Sequence, residues 1–398
     1  MDSSKHSDSM CETTTSKSWH FKKQKKAQKQ QKLLEQIVKK RTNQGNQCDA
    51  VNLKKRTRLE TQLSWEENGI GKNLLENVNV DLKKEPPVPN PNKASRKGLS
   101  STSTVSIAVA GSIIDNAQTP QLKAYLAGQV ARAAAIFCVD EIIIYDDTGG
   151  HALVGCEQMA RILQFLECPQ YLRKLLFPIH PDLQFAGIIP PLDLPHHLRR
   201  NEALPYREGV VSSRKPVKDG GGKSYSLVNV GLDRDCRVPK KLPEGVRVTI
   251  KFDDPSPNYI LKSKGKLKGT AVSPREPKRE AGIYWGYSVR IAKSLSKVFS
   301  ECPFPGGSYD MMVGTSEKGF NSSLMKPKDF KNLLIVFGGV QGLEYALEND
   351  ESVEENDVRK LFHYYVNTCP AQGSRTIRSE EAILISMSAF SHFISKQK

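Results

Sequence analysis

The stretch Val105–Tyr145, VSIAVAGSIIDNAQTPQLKAYLAGQVARAAAIFCVDEIIIY, decides the fold. It opens with a six-residue apolar run, Val105–Ala110, of the length and composition of a buried strand. Gly111-Ser112 breaks the run, and Asp115-Asn116-Ala117-Gln118 follows. Thr119 and Pro120 then make a helix start. The threonine hydroxyl suits an N-cap, and proline, with its fixed φ and no N–H, suits the first helical position. Leu122, Leu126, Val130 and Ala134 recur every four residues and predict one apolar helix face. Glu141–Tyr145 is β-branched and apolar, a second buried strand. Strand, helix and strand in this order predict a parallel α/β sheet.

Moving toward the C-terminus, a second helix is predicted over Glu157–Glu167, with Met159, Ile162, Leu163 and Leu166 on one face and Pro169 as its stop. The texture changes near residue 200. Helical periodicity gives way to short strand-like pieces at Gly209–Val211, Tyr225–Val230, Val246–Phe252 and Lys266–Val272, with turns such as Gly220-Gly221-Gly222 between them. That spacing predicts a small β-barrel. The α/β texture then returns. Strands are predicted at Tyr284–Ala292, Tyr309–Val313, Asn332–Phe337 and Phe362–Asn367, with helices within Ile291–Phe299 and at Glu380–Phe393. The expected organisation is one α/β domain in two parts, 103–200 and 276–398, interrupted by a barrel at 201–275.

Toward the N-terminus lies a different kind of chain. Residues 1–102 read as a basic, largely disordered arm that ends in the extended run Pro86-Pro87-Val88-Pro89-Asn90-Pro91 and a Ser/Thr-rich linker. The 398 residues carry 59 Lys+Arg against 43 Asp+Glu, a net charge of +16. Residues 1–100 hold 21 Lys+Arg against 11 Asp+Glu, so a quarter of the length carries most of the excess. This balance points to an anionic partner, nucleic acid before membrane surface. No run approaches the ~18 apolar residues a membrane-spanning helix needs. Met1–Lys5 is polar and no signal-peptide-like apolar stretch follows it, so no secretory leader is expected, and the eight cysteines form no CxxC pair. Reduced thiols in a cytosolic or nuclear protein are expected.

Three late strands end in polar, glycine-bearing loops. They are Gly314-Thr315-Ser316-Glu317-Lys318-Gly319, Phe337-Gly338-Gly339-Val340-Gln341-Gly342-Leu343-Glu344, and the run Asn367–Arg378, NTCPAQGSRTIR. Open α/β sheets bind ligands where loops leave the carboxyl ends of strands. Glycine there lets backbone groups approach a ligand closely. There is no GxxxxGK[ST] and no GxGxxG after the first strand, which argues against an NTPase and a Rossmann cofactor domain. A heterocyclic, adenosyl-type cofactor held by backbone groups suits the pattern. Ser379 is the expected N-cap of the last helix, with Glu380 and Glu381 as capping acids. Arg375 and Arg378 are candidates for an anion. Asn116 is a candidate for hydrogen bonding a base or ribose, with helix-entry turn chemistry as the alternative. Cys369 reads as a small lining residue in preference to a nucleophile. His196-His197 lacks a third ligand, so no metal is expected. A serine hydrolase is excluded by the missing GxSxG.

These residues together resemble the SPOUT class of RNA methyltransferases. The resemblance is carried by Ala110–Gln118, Tyr125–Ala133, Ala281–Tyr287 and the three loops, above all Asn367–Arg378, and it covers about residues 105–393. It implies an α/β fold with a C-terminal trefoil knot, here interrupted by an OB-like barrel, and S-adenosyl-L-methionine as cofactor. By resemblance, Thr315, Ser316, Gly338, Gly339, Gly342, Leu343, Glu344, Cys369, Gln372, Gly373, Ser374, Thr376 and Ile377 line the cofactor pocket. Asn116, Arg132 and Arg375 form the catalytic set facing the nucleotide. The implied activity is uridine-N3 methylation of large-subunit ribosomal RNA by a homodimer. Nuclear, nucleolar and cytoplasmic location, with centrosome, spindle and kinetochore association in mitosis, is implied in the same way. The competing reading is a non-catalytic protein that binds RNA or spindle components through a vestigial pocket.

Overall fold

The computed structural model describes residues 103–213, 217–218, 224–262 and 265–397. The expectations about the arm and Gly220–Gly222 fall outside them. The chain begins with β1 (Thr104–Ala110), a 3-10 segment at Gly111–Asn116, and α1 (Pro120–Ile136). Thr119 caps α1 by accepting the Leu122 N–H. β2 (Glu141–Tyr145), α2 (Leu153–Glu167) and α3 (Gln170–Leu176) follow. Leu126, Val130 and Ala134 are buried on the inner face of α1, but Leu122 at the head of the predicted stripe is 53% exposed. It lies in the first turn of the helix. α2 begins four residues earlier than its apolar period suggests, and it ends ahead of Pro169 as expected.

β3 (Tyr206–Val211), β4 (Val217–Lys218), β5 (Ser224–Asn229), β6 (Cys236–Val238), β7 (Arg247–Phe252) and β8 (Leu267–Val272) form the second sheet. Its order is β3-β7-β8-β6-β5-β4, and an additional β3–β5 pairing closes five of the strands into a barrel. Val228, Val230, Cys236, Val238, Ile250, Phe252, Ile260 and Leu267 fill it. β6 is too short to show a period, which is why the sequence did not reveal it.

The chain then returns through α4 (Glu276–Ala281), β9 (Ser288–Ala292), α5 (Leu295–Ser300), β10 (Met311–Asn321), β11 (Asn332–Phe337), α6 (Gly342–Glu348), β12 (Tyr364–Asn367) and α7 (Ser379–Gln397). The first sheet runs β12-β10-β11-β1-β2-β9, with parallel pairing throughout. Its central strands, β1, β2 and β11, are buried nearly end to end, as expected of a parallel sheet covered on both faces. β9 begins at Ser288 and not at Tyr284, because Tyr284, Trp285 and Tyr287 are used as side-chain anchors ahead of the strand. The Tyr284 hydroxyl donates to the Val139 carbonyl (2.6 Å), and the Tyr287 hydroxyl donates to that of Leu163 (3.1 Å).

Barrel and α/β body meet at a buried charge cluster. Glu167, at the end of α2 and 7% exposed, takes two bonds from Arg247 of β7 (2.6 and 3.1 Å). Arg247 Nε also donates to Glu208 of β3 (2.8 Å). The other Glu208 oxygen accepts the Thr249 hydroxyl and the Trp285 indole N–H, both at 2.6 Å. His196 Nε2 lies 2.9 Å from Glu167 Oε1. Burial alone would raise the Glu167 carboxyl, but Arg247 and His196 outweigh it and hold it at about 2. Burial lowers neighbouring His197 to about 4, with His196 adding to the effect.

Candidate active site

Thr315 of β10 stands in register with Phe337 of β11 and with Val366 of β12, so the three strands reach their carboxyl ends side by side. A cavity of about 460 Å³ opens there. The first of the three loops differs from expectation. It is not a loop beyond a strand but a bulge within β10: pairing to β12 breaks after Thr315 and resumes at Phe320. A Cβ on Gly319 would come within 2.4 Å of the Val366 backbone, so only glycine lets the chain rejoin β12.

The second loop is a tight turn at the end of β11. Gly342 N–H donates to the Gly339 carbonyl (3.1 Å), and Gly342 adopts φ 83°, in the left-handed region. A Cβ on Gly338 would fall 2.8 Å from Gly342 backbone carbon, and one on Gly339 2.6 Å from Asp147 Oδ2. Asp147 sits behind this loop, 2% exposed, and is bonded by the backbone and hydroxyl of Ser112. Burial pushes its carboxyl up, and the two Ser112 bonds act the other way. The buried Tyr145 hydroxyl fixes the loop's other end by donating to the Phe337 carbonyl (2.9 Å).

The third loop is held largely by its own polar groups. Cys369 N–H donates to Asn367 Oδ1 (2.9 Å), Asn367 Nδ2 to the Glu317 carbonyl (2.9 Å), and Gln372 Nε2 to the Ser374 carbonyl (3.0 Å). Thr368 and Ser386 hydroxyls meet at 2.9 Å. Ser379 is not the N-cap of α7. It is the first helical residue, and its hydroxyl donates to the Gly338 carbonyl (3.1 Å), tying the third segment to the second loop. The capping contact comes from Glu381, which accepts the Arg378 N–H (3.0 Å).

The cavity wall includes Asn116, Thr315, Ser316, Gly338, Gly339, Gly342 and Glu344, together with Cys369, Gln372, Thr376 and Ile377. Five other expected residues stand elsewhere. Leu343 is fully buried behind the second loop. Gly373 and Ser374 are exposed on the third loop, and a Cβ on Gly373 would meet nothing within 4 Å. Arg375 is exposed beyond them. Arg132 lies on α1, where its guanidinium donates to the carbonyls of Pro191 (3.2 Å) and Leu192 (3.0 Å). The wall also contains Leu126, Phe337, Lys318, Arg378, Glu380, Ala382, Ile385 and Ser386. Ala382, Ile385 and Ser386 of α7 lie three to four residues apart, a spacing that puts them on one helix face and was readable in the sequence. Lys318 Nζ lies 3.2 Å from Glu344 Oε1, which also accepts from the Tyr365 hydroxyl at 3.3 Å. Burial raises that hydroxyl to about 12, against the effect of a bond to Ser316 and with Glu344 adding to the rise.

The donor set suits an adenosyl-type methyl donor. An apolar wall of Leu126, Phe337, Ile377 and Ile385 faces glycine-lined backbone and a few carboxylates, at a size within the roughly 300–1,000 Å³ of small-molecule sites. Fold and cavity thus define an α/β protein with a cavity at the carboxyl ends of its strands. A family model described as "Putative RNA methyltransferase" matches residues 104–390, and the chain belongs to that family. It is 50% identical over 309 residues to a mouse protein named 28S rRNA (uridine-N(3))-methyltransferase, covering 74% of this chain and 78% of that one. The human protein of the same name is 49% identical over 299 residues, covering 72% and 77%. The fruit-fly one is 47% identical over 328 residues, covering 77% and 65%.

Proposed function

We propose that the chain transfers a methyl group from S-adenosylmethionine to N3 of a uridine in large-subunit ribosomal RNA. The observation that carries this reading is the cavity built by the three loops, lying within the region that matches an RNA methyltransferase family. The names of the mouse, human and fly relatives supply the nucleotide and the RNA.

Bound in the cavity, the cofactor supplies an electrophilic methyl group. The chain's own residues do the rest. The glycine backbone of the second loop and Cys369, Gln372, Thr376 and Ile377 of the third would hold the adenosyl part, and the apolar wall would exclude water from it. Uridine N3 is a weak acid, so the nucleotide must lose a proton and be held in line with the methyl group. Positioning of this kind supplies much of a transfer rate. Asn116, exposed at the rim, orients the base; Arg375, exposed on the third loop outside the cavity wall, is the cation assigned to negative charge developing on the uracil. Arg132, off the cavity, reaches a nucleotide only across a homodimer. The exposed apolar residues Leu122 and Tyr125 on α1 and Leu384 on α7 support such a pairing.

The trefoil knot belongs to the same proposal. The chain's path from β12 at the sheet edge back to the Gly338 carbonyl at the end of β11 supports it. The closed five-stranded barrel supports an OB-like RNA platform. Action in the nucleus or nucleolus, and association with spindle or centromere, extend the reading to the cell. The test is incubation of the protein with S-adenosylmethionine and large-subunit RNA, followed by mass spectrometry of the nucleosides. 3-Methyluridine is expected. Cofactor binding without any methylated nucleoside would favour a non-catalytic RNA-binding role.

A further inference from the structure

We infer that Glu380 is the anionic contact through which the cavity favours the positively charged methyl donor over its neutral, demethylated product. The inference rests on the cofactor reading above and adds a discrimination to it.

Glu380 is 6% exposed and lines the cavity. It lies in the first turn of α7, beside Ser379, whose bond to Gly338 fixes that turn against the second loop. Its neighbour Glu381 performs the capping, so Glu380 is not needed for it. Among the described residues its nearest cation is Arg378 Nη1 at 3.8 Å, on a side chain that is 74% exposed. That separation is too long for a hydrogen bond. A buried carboxylate without a close partner is costly, and the partial positive charge of a helix N-terminus offsets only part of the cost. The other carboxylates on the wall differ. Glu344 is engaged by Lys318 and Tyr365, and Glu317 is exposed to solvent. Glu380 is therefore the buried negative charge that the cavity leaves to be met by a ligand.

S-adenosylmethionine carries a sulfonium charge, and S-adenosylhomocysteine, the product of transfer, does not. Both keep the same adenosine and the same amino-acid tail. A carboxylate near the sulfur distinguishes them, and the loss of that attraction after transfer speeds product release.

The experiment is calorimetry of both ligands against the full chain and Glu380→Gln. The expected result is that Gln weakens S-adenosylmethionine about tenfold, the scale of one lost charged contact, and changes S-adenosylhomocysteine by less than about twofold. Glu380→Ser removes the same charge with a residue suited to helix starts, and the same shift in ratio is expected. Glu381→Gln lowers Tm without moving the ratio. Equal weakening of both ligands, or no change in either, overturns the inference. If the unmodified chain binds neither ligand at millimolar concentration, the cofactor reading itself fails, a different outcome from any change in the ratio.

Discussion

The two ends of the parallel sheet handle polar groups in opposite ways. At the amino end, where β9 starts and the barrel joins, Glu167, Arg247, Glu208, Thr249, Trp285 and His196 turn toward one another. At the carboxyl end, about 20 Å away along a seven-residue strand, loop backbone and side chains turn toward a cavity. The first arrangement satisfies its charges among its own members and fixes the barrel on the body, beside a cavity of about 1130 Å³ that Glu167, Glu208, Arg247 and Trp285 help to line. The second is open and suited to a ligand. Buried charge thus serves as a joint at one end and as a recognition element at the other.

The hardest test of this contrast is Arg247→Met. It leaves two buried carboxylates without their shared cation, and removing one partner of a buried pair costs about 3–5 kcal/mol. Denaturant unfolding should show a loss of that size. A loss below about 1 kcal/mol, the scale of an exposed pair, would mean that water reaches the junction. Acid probes the same cluster without mutation. His197, lowered by burial to about 4, favours the folded state at neutral pH, and this contribution fades as pH falls from its ordinary 6.5 toward 4. Glu167, held at about 2, keeps its contribution until pH falls below its ordinary 4.5 and loses it toward 2. Two successive declines in Tm are expected, and the lower one should be smaller in Arg247→Met, where His196 alone of the two cations remains beside Glu167.

At the other end the matching experiment is Gly339→Val. The added side chain meets Asp147 and Ser112 and pushes the second loop toward the cavity. A displacement near 1 Å at a reacting site costs about a hundredfold in rate. Methyl transfer should fall by that factor, with the barrel junction untouched. Gly373→Arg is the control on the same ligand, because open space surrounds that glycine. The chain should fold, and the change in cofactor affinity reports how closely the third loop wraps the ligand.

How far the sequence disclosed these two ends depends on what each is made of. The strands at the cavity were legible because buried parallel strands are continuous apolar runs, as in Asn332–Phe337. The loops were legible as glycine-bearing breaks. The bulge in β10 was not, since pairing across Ser316–Gly319 depends on β12, which comes some fifty residues later. The role of Ser379 was hidden for the same reason: its partner, the Gly338 carbonyl, is 41 residues away. The junction was missed altogether. Glu167 ended a helix, Glu208 fell just ahead of the strand-like piece Gly209–Val211, and His196-His197 had no third metal ligand. Each looked ordinary until the barrel brought Arg247 between two carboxylates 80 and 39 residues distant.

The smallest expected effect sharpens the comparison most directly. Lys318 and Glu344 form an ion pair at the cavity with the same kind of groups as Arg247 and Glu167, but the side chains are 67% and 33% exposed, against 29% and 9% at the junction. Solvent screens the exposed pair, and holding a long lysine chain in place costs entropy, so such pairs contribute roughly 0–1 kcal/mol. Lys318→Ala should therefore leave stability within about 0.5 kcal/mol of the parent. What it should change is Glu344, which then keeps only the Tyr365 hydroxyl as a donor among the described residues. Freed from Lys318, that half-buried carboxylate joins Glu380 as a wall carboxylate without a close cation among the described residues. If Glu380 alone discriminates the charged donor from the neutral product, the affinity ratio of the two ligands is the same in Lys318→Ala as in the parent. A ratio that rises in this variant would assign the discrimination to the summed charge of the wall.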